Sequence, residues 1–538
     1  MSVKIITGGI GSGKTRYCTD EMEKLHNKSP EKRCIMIVPS HYSHETERML
    51  INRFGGTGLN NSECTSFEKL SRELLPQVLR RLGAPAKHVL ICRAIALTLK
   101  ELDTDRFDTR LIRAAGKNGF IDVCASLISE MHRYNVTCDD LLEQAEKSEN
   151  PVLSQKIEIL SFILKNYENL LCEKEYTDAD DDLSRLSAVI GNSFGKSDSI
   201  WIDKFDELLP QQLEVVFALI DSGADITITF TTHNNIDDTY YGTKKAIADI
   251  TEYADAIFIR LENSMSHIKS PDLRFLFETW FDHTVYDDDC NNAEIFEARD
   301  AYTETEHVAG KILDLVREDK YRFCDIGIIC PQKDSYSHIL ETVFDEYSIP
   351  YYSDERISIS EYPIATQLLS LFDIIEYNWD YESVFAYLRA GFVFAKTHTQ
   401  NGKTVYKRLD PDDIDLLENY VLKYGIRYKS AWCRSWLDSN HGIIDTAFGT
   451  EPESGNISEK TDTLRQVVIE PIVRYTENCA KAETVSDYCR ALFEFLEDIN
   501  LYQGLKSELL SLALNSATAD AQRFGQIWNL ILDVLDQV

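Results

Sequence analysis

Two hydrophobic patterns alternate along the first 67 residues. The apolar runs VKIIT (3–7) and RCIMIVP (33–39) predict buried strands, and helical spacing follows at about 15–26 and from about 42. Residues 62–75 read as a loop or short strand that enters a helix. Because strands separated by helices favour a parallel sheet, the sequence predicts the opening of an α/β domain.

The pattern becomes helical from about residue 68 to residue 195, where apolar residues recur every three or four positions. The strand pattern then resumes with SIWID (199–203), a helix at 210–222 and a second strand, DITITFTT (225–232). We therefore expect a first α/β core made of 1–67 plus 196–292, interrupted by a helical insertion at 68–195.

A second α/β unit is predicted after residue 292. Three apolar runs predict strands at 293–298, 324–330 and 349–354, with helices at about 303–318, 335–347 and 363–377. From about residue 378 to Val538 the pattern is almost entirely helical. We expect 293–377 to begin a second core and 378–538 to be a helical insertion within it.

A glycine-rich loop follows the first predicted strand. The sequence TGGIGSGKT has the P-loop spacing, with the candidate nucleotide-binding residues Gly8, Gly9, Ile10, Gly11, Ser12, Gly13, Lys14 and Thr15. Backbone N–H groups of such a loop and the start of the next helix converge on phosphate oxygens. The pattern predicts ATP, with the Lys14 side chain reaching the β- and γ-phosphates and the Thr15 hydroxyl on Mg²⁺.

A P-loop also requires an acidic residue at the end of a neighbouring strand to hold Mg²⁺ through water. Asp203 ends the predicted strand 199–203 and is our candidate. The structural alternative is an aspartate that caps a turn at the end of the strand.

Composition limits the classes of partner. The chain has 538 residues, is 43% hydrophobic and carries a net charge of −33, so it folds into packed domains and repels phosphate backbones except where basic residues cluster. Residues 72–117 form such a basic stretch, which reads either as a DNA groove or as an ordinary solvated helical surface.

Targeting and cysteine patterns point to the cytoplasm. The thirteen cysteines contain no C-x-x-C pair, so neither a disulfide framework nor a metal framework is indicated. We find no signal peptide and no apolar run of the roughly 18–20 residues that a membrane span needs. We expect a cytoplasmic protein with no membrane partner.

The order of these motifs resembles superfamily 1 helicases of the UvrD/RecB type. In that family the strand after the insertion ends in Asp-Glu-Phe-Gln-Asp, and DKFDE (203–207) looks like a degraded copy. The segment from residue 297, with CDIGIICPQ and IPYYSD, resembles the start of the second motor domain. A chain that opens directly on Gly-x-x-Gly-Ser-Gly-Lys-Thr is most similar to the AddB subunits of bacterial AddAB helicase–nucleases.

The resemblance implies two RecA-like cores and a subunit of an ATP-dependent helicase/exonuclease that processes double-strand breaks for recombination. The implied partners are DNA, as double-strand ends and single strands, and an AddA-type motor subunit in a heterodimer. An iron–sulfur cluster is expected only in the family's C-terminal nuclease domain, for which this chain lacks a matching cysteine spacing. DNA contacts are implied at Pro39, Ser40, Thr65, Ser66 and Phe67, where Phe67 either stacks on a base or fills the core.

Two departures from the family pattern weaken the ATPase site. Lys204 stands where a glutamate would polarise the attacking water, and Pro331 stands where an arginine would reach the γ-phosphate. We therefore expect nucleotide binding without catalytic residues. An alternative base, Asp206 or Glu207, would make the chain an autonomous P-loop ATPase or helicase, and a vestigial loop would make it a nucleotide-insensitive scaffold.

Overall fold

The computed structural model describes residues 3–537 except for 55–60, 76–79, 103–106, 108–109, 111, 114–116, 233–239, 262–267, 280–283, 319, 354–361, 399–403, 438–454 and 515–517. The chain divides into two compact units, Met1–Tyr352 and Ser353–Val538.

The first unit is built around a sheet whose strands alternate with helices. The elements are, in chain order, β1 (Val3–Gly8), α1 (Lys14–Lys28), β2 (Arg33–Ile37), α2 (Ser43–Phe54), β3 (Ser62–Thr65), α3 (Phe67–Leu74), β4 (Arg80–Arg81), α4 (Ala84–Glu101), α5 (Asn118–Arg133), α6 (Cys138–Lys147), α7 (Pro151–Lys174), β5 (Tyr176–Thr177), α8 (Asp182–Ile190), β6 (Asp198–Ile202), α9 (Pro210–Ser222), β7 (Asp225–Thr231), α10 (Tyr241–Tyr253) and β8 (Ala256–Arg260).

Six of these strands form one parallel sheet in the order β3-β2-β6-β7-β1-β8. Alternate side chains enter opposite cores, because successive residues of a strand face opposite sides. Ile5 and Ile200 pack with α3, α8, α9 and α10, whereas Ile6 and Trp201 pack with α1 and α2. The α/β class is confirmed, and the strands end together at one edge of the sheet.

The helical insertion packs around its own core between α3 and α8. Ile91 of α4, Cys124 of α5 and Ile163 of α7 are almost completely buried there. The two-residue strands β4 and β5 pair in parallel at its base. A 3₁₀ turn at Ala179–Asp181 then leads the chain back to the sheet.

The first unit differs from the sequence pattern in two places. Residues 256–260, for which no strand was predicted, form the edge strand β8, which pairs with β1. After α11 (Pro271–Thr279), the described residues of 293–353 contain α12 (Ala301–Arg317) and α13 (Lys333–Glu346) but no paired strand. Apolar runs form strands only beside a hydrogen-bonding neighbour, and Ile295 is instead 100% exposed. The structure therefore does not confirm a second sheet core among the described residues of 293–353.

The second unit is mainly helical, with one hairpin that the sequence pattern did not predict. Its elements are α14 (Pro363–Glu376), α15 (Tyr381–Arg389), β9 (Phe394–His398), β10 (Thr404–Arg408), α16 (Pro411–Tyr424), α17 (Tyr428–Cys433), α18 (Gly455–Lys481), α19 (Val485–Asp498), α20 (Leu501–Leu514) and α21 (Thr518–Gln537). Strands β9 and β10 are antiparallel. Three tryptophans, Trp379, Trp432 and Trp436, are buried in its core.

Candidate nucleotide site and nucleic-acid edge

The glycine-rich loop joins β1 to α1 at the edge where the strands end. Gly11 and Gly13 adopt positive φ angles of 73° and 89°, which explains why glycine is needed at these turns. Gly8 is also restricted, because a Cβ there would lie 2.4 Å from Ser12 Oγ. The loop is therefore tightly folded just before α1, and the N–H groups at the start of a helix favour binding of an anion.

Side chains of the loop differ in exposure. Ile10 is 62% exposed, while Ser12 is buried and its Oγ has no hydrogen-bond partner among the described residues. Thr15 lies half-buried in the first turn of α1. A hydroxyl that is buried without a partner is costly unless a ligand or water satisfies it, so this feature fits a phosphate cradle.

The Lys14 ammonium folds back over the loop. Its Nζ donates hydrogen bonds to the carbonyl oxygens of Gly8 at 3.1 Å and Gly9 at 2.8 Å. Burial lowers the pKa of Lys14, although the nearby Asp203 carboxylate opposes the shift. The Lys14 ammonium is therefore held beside the loop by the Gly8 and Gly9 carbonyls. A bound nucleotide would replace these carbonyls with its phosphate oxygens.

Asp203 follows β6 and faces the neighbouring strand β7. It is 1% exposed, and its Oδ1 accepts a hydrogen bond of 2.5 Å from the Thr229 hydroxyl. Its Oδ2 is buried and unpartnered among the described residues. A buried carboxylate oxygen without a donor fits a water ligand of Mg²⁺ better than the turn-capping alternative, in which the carboxylate would accept from backbone N–H groups.

Lys204 and the alternative base Glu207 contact α2 and α10, which flank the sheet. Lys204 packs against Tyr42 and Thr46 beside α2. Asp206 and Glu207 are exposed. The Glu207 side chain packs against α10, since a Cβ added to Gly242 of that helix would lie 2.7 Å from Glu207 Oε2. Pro331 is an exposed turn residue before α13 and provides no charge.

The expected DNA-contact residues divide into two groups. Pro39 is half-buried and Ser40 is exposed after β2, so both are accessible. Thr65, Ser66 and Phe67 are 2%, 4% and 1% exposed. The Phe67 ring packs 5.4 Å from that of Phe205, which is the core position that the sequence left open as the alternative.

An aromatic pair that the sequence reading missed lies beside Ser40. His41 and Tyr42 have ring centroids 4.2 Å apart and are exposed, Tyr42 by 37%. The sequence does show two aromatic residues directly after the Pro39-Ser40 pair that follows β2. Their exposure could not be predicted, because the exposure of a turn residue depends on tertiary packing. Tyr42 therefore replaces Phe67 as the accessible aromatic of this edge.

The basic stretch 72–117 does not present all its cations to solvent. Lys87 is 8% exposed, and its Nζ lies 2.7 Å from Asp178 and 2.6 Å from Asp180. Arg81 pairs with Asp182 at 2.7 Å. Lys87 therefore belongs to a buried ion network of the insertion, whereas Arg81 is exposed and pairs with a buried aspartate.

The described residues show no metal cluster, no disulfide and no membrane-spanning helix. No group of three or more His, Cys, Asp or Glu side chains there is arranged to hold a metal. All thirteen cysteines lie in this described part as free thiols. Within the same residues, no helix combines the length and apolar character of a membrane span.

A family model and several individual relatives of this chain indicate the same protein family. Residues 5–283 match the family model described as "ADDB, N-terminal". The whole chain is 29% identical to the B subunit of the ATP-dependent helicase/deoxyribonuclease of Clostridium novyi and 29% identical to that of Clostridium acetobutylicum. The corresponding protein of Caldanaerobacter subterraneus subsp. tengcongensis is 28% identical. The chain covers 46% of each of these relatives, so it spans about half their length.

Proposed function

Because the chain belongs to the AddB family, we propose that it is the helicase-like part of a subunit of an ATP-dependent DNA helicase/exonuclease that processes double-strand breaks for recombinational repair. In this proposal the sheet of the first unit is a RecA-like core, 293–377 begins a second, and 378–538 is inserted in it. The region binds Mg²⁺–ATP and DNA and packs against an AddA-type motor subunit.

One observation supports nucleotide binding more than any other. The P-loop of β1 and α1 and the unpartnered Asp203 Oδ2 lie at the same edge of one sheet. In this site Lys14 would hold the β- and γ-phosphates, Thr15 would ligate Mg²⁺, and Asp203 would hold it through water. A bound magnesium ion would neutralise phosphate charge there.

The same geometry supports a site that holds ATP without hydrolysing it. Lys204 is a cation that lies on Tyr42, so it neither accepts a proton from water nor faces the cradle. Glu207 is engaged against α10, and Pro331 has no positive charge for the γ-phosphate. These features favour a structural nucleotide site over the autonomous motor.

In this proposal nucleic acid binds at the edge formed by Pro39, Ser40 and the adjacent Tyr42. A phenol ring that is partly exposed at a strand end provides a surface on which a base can stack, and stacking tolerates any sequence. With a net charge of −33, binding by this chain alone is expected to be weak and strongly dependent on salt.

The family resemblance implies an iron–sulfur cluster only in the family's C-terminal nuclease domain. No step proposed for this chain depends on that cluster.

Titration with labelled ATP and Mg²⁺ tests the proposed cradle. Lys14→Ala removes a charge-assisted contact worth roughly 1.5–3 kcal/mol, so affinity should fall about tenfold or more. The control Lys24→Ala changes an exposed lysine of the same helix and should leave affinity unchanged. Equal ATP affinity for wild type and Lys14→Ala would favour the nucleotide-insensitive scaffold.

A further inference from the structure

Lys204 has an unusual backbone conformation directly after Asp203. Its φ angle is +67°, in the left-handed region that side chains other than glycine, asparagine and aspartate rarely adopt. Such a conformation is maintained only when surrounding contacts favour it. The residue therefore needs a local reason to be lysine and not glycine.

The contacts of the side chain provide that reason. The Lys204 ammonium lies 4.7 Å from the centroid of the Tyr42 ring and 3.3 Å from the hydroxyl of Thr46. Thr46 is fully buried in the first turns of α2, and Lys204 itself is half-buried. A cation at this distance from an aromatic face is attracted to it, the more so when partly removed from water.

A second contact holds the same segment from the other side. The 3₁₀ turn Ser40–Tyr42 follows β2, and the Ser40 hydroxyl donates a 2.5 Å hydrogen bond to Glu68 in the first turn of α3. Ser40 Oγ also lies 3.3 Å from Ser66 Oγ, and Ser66 caps α3 by accepting from the Lys69 N–H. The turn is thus fixed to α3 on one side and to the end of β6 on the other.

We propose that Lys204 is a positioning residue that ties the turn Ser40–Tyr42 to the end of the nucleotide-site strand β6. We call Lys204, Tyr42 and Thr46 the lysine brace. Lys204, which stands where the family has a water-activating glutamate, orients the exposed ring of Tyr42 at the proposed DNA-binding edge. It does so whether or not nucleotide is bound. The consequence for DNA rests on the proposed function, whereas the brace itself does not.

Hydrogen exchange of the whole chain tests the brace directly. Lys204→Gly removes the contacts and suits the left-handed backbone, so amide exchange in residues 40–46 should accelerate roughly 3- to 10-fold. Lys204→Arg keeps a cation over the ring and should exchange as wild type does. The control Lys320→Gly relieves a similar φ of 60° at an exposed lysine and should not change exchange at 40–46.

A second variant keeps the test valid if Lys204→Gly is globally destabilised. Tyr42→Leu should accelerate exchange in the same segment, and the double variant should add little, because both changes remove one interaction. Unchanged exchange at 40–46 in Lys204→Gly, failure of Lys204→Arg to preserve it, or full additivity with Tyr42→Leu would overturn the brace.

Binding of a fluorescent oligo(dT) separates the brace from the DNA edge. If the edge binds DNA, Lys204→Gly should weaken oligo(dT) binding by up to about the same 3- to 10-fold, with ATP affinity unchanged. Accelerated exchange with unchanged oligo(dT) affinity would support the brace and contradict DNA binding at Tyr42.

Discussion

At the scale of single residues, exposure decides which aromatic can meet a base. Tyr42 is 37% exposed beside Ser40, whereas Phe67 is 1% exposed in the core. The DNA contacts expected from sequence at this edge stay a prediction, but the structure buries the ring of Phe67 and exposes that of Tyr42, because residues near a strand end differ in burial by their position on the turn.

We therefore predict that Tyr42→Ala weakens binding of oligo(dT) by about 1–3 kcal/mol, the usual loss of one stacking partner. Tyr134→Ala is the matched control, since Tyr134 is 48% exposed but lies at the end of α5 in the insertion. Fluorescence anisotropy at low salt measures both variants. Equal losses for the two tyrosines would show that binding is not located at the sheet edge.

His132 gives the folded insertion a dependence on pH. Its Nδ1 lies 2.5 Å from Asp181 Oδ1, close enough for an ion pair. Burial would lower the pKa of His132, and Lys87 acts in the same direction, but Asp181 and Asp178 outweigh them, so the pKa is raised. The charged imidazolium therefore stabilises the fold.

The sign of the pH effect follows from that raised pKa. The stabilisation is complete below the unfolded value of about 6.5 and is lost as the pH rises through the higher folded pKa. Urea unfolding of the wild type should therefore show a free energy that declines from about pH 6 upward. His132→Gln should remove this part of the decline, and an identical pH profile in the variant would contradict the assignment.

At the scale of elements, a buried ion network joins the helical insertion to the sheet. Lys87 of α4 contacts Asp178 and Asp180 of the loop before α8. Tyr167 of α7 donates to Asp178 Oδ2 at 2.7 Å, and Gln211 of α9 donates to the Asp180 carbonyl at 2.9 Å. The loop thus connects helices of the insertion with a helix that packs on the sheet.

Removing the cation should destabilise this junction. Lys87→Met leaves the Asp178 and Asp180 carboxylates without their cation, and breaking one side of a buried pair typically costs about 3–5 kcal/mol. Arg93→Met changes an exposed cation of the same helix and should cost less than about 0.5 kcal/mol. Equal unfolding free energies for the two variants in urea would mean that the network is not stabilising.

Elements were predictable from sequence where local pattern determines them. Strands β1, β2, β6 and β7 are buried on both faces, so continuous apolar runs identified them. Strand β8 was missed because an edge strand of five residues gives a short, ambiguous signal and depends on pairing with β1. The runs at 293–298 and 324–330 gave a strand signal without a paired neighbour among the described residues.

The candidate site was predictable to a similar extent. The sequence predicts the P-loop and the strand-ending Asp203, and the structure places both where parallel strands of one sheet end, because each feature follows from the sequence close to one strand. The direction of the Lys204 side chain and the engagement of Glu207 with α10 could not be read from sequence, since both depend on helices that are distant along the chain.

At the scale of the whole molecule, we propose that this chain combines a P-loop phosphate cradle with the loss of the groups that drive hydrolysis. Losing a general base typically reduces a rate 10²–10⁴-fold, and losing an arginine on the γ-phosphate roughly 10³–10⁵-fold. Even partial addition of these losses places turnover far below the roughly 1–10³ s⁻¹ that is usual for enzymes. In the proposed complex, nucleotide here would stabilise structure while the motor subunit supplies work.

The most direct test measures ATP turnover by the purified chain at saturating Mg²⁺–ATP, with and without single-stranded DNA, after binding has been confirmed by titration. We predict bound nucleotide with negligible hydrolysis, and Lys204→Glu alone should not restore it because Pro331 leaves the γ-phosphate without a positive charge. DNA-stimulated hydrolysis by the wild-type chain that disappears in Lys14→Ala would contradict this account and support an autonomous motor.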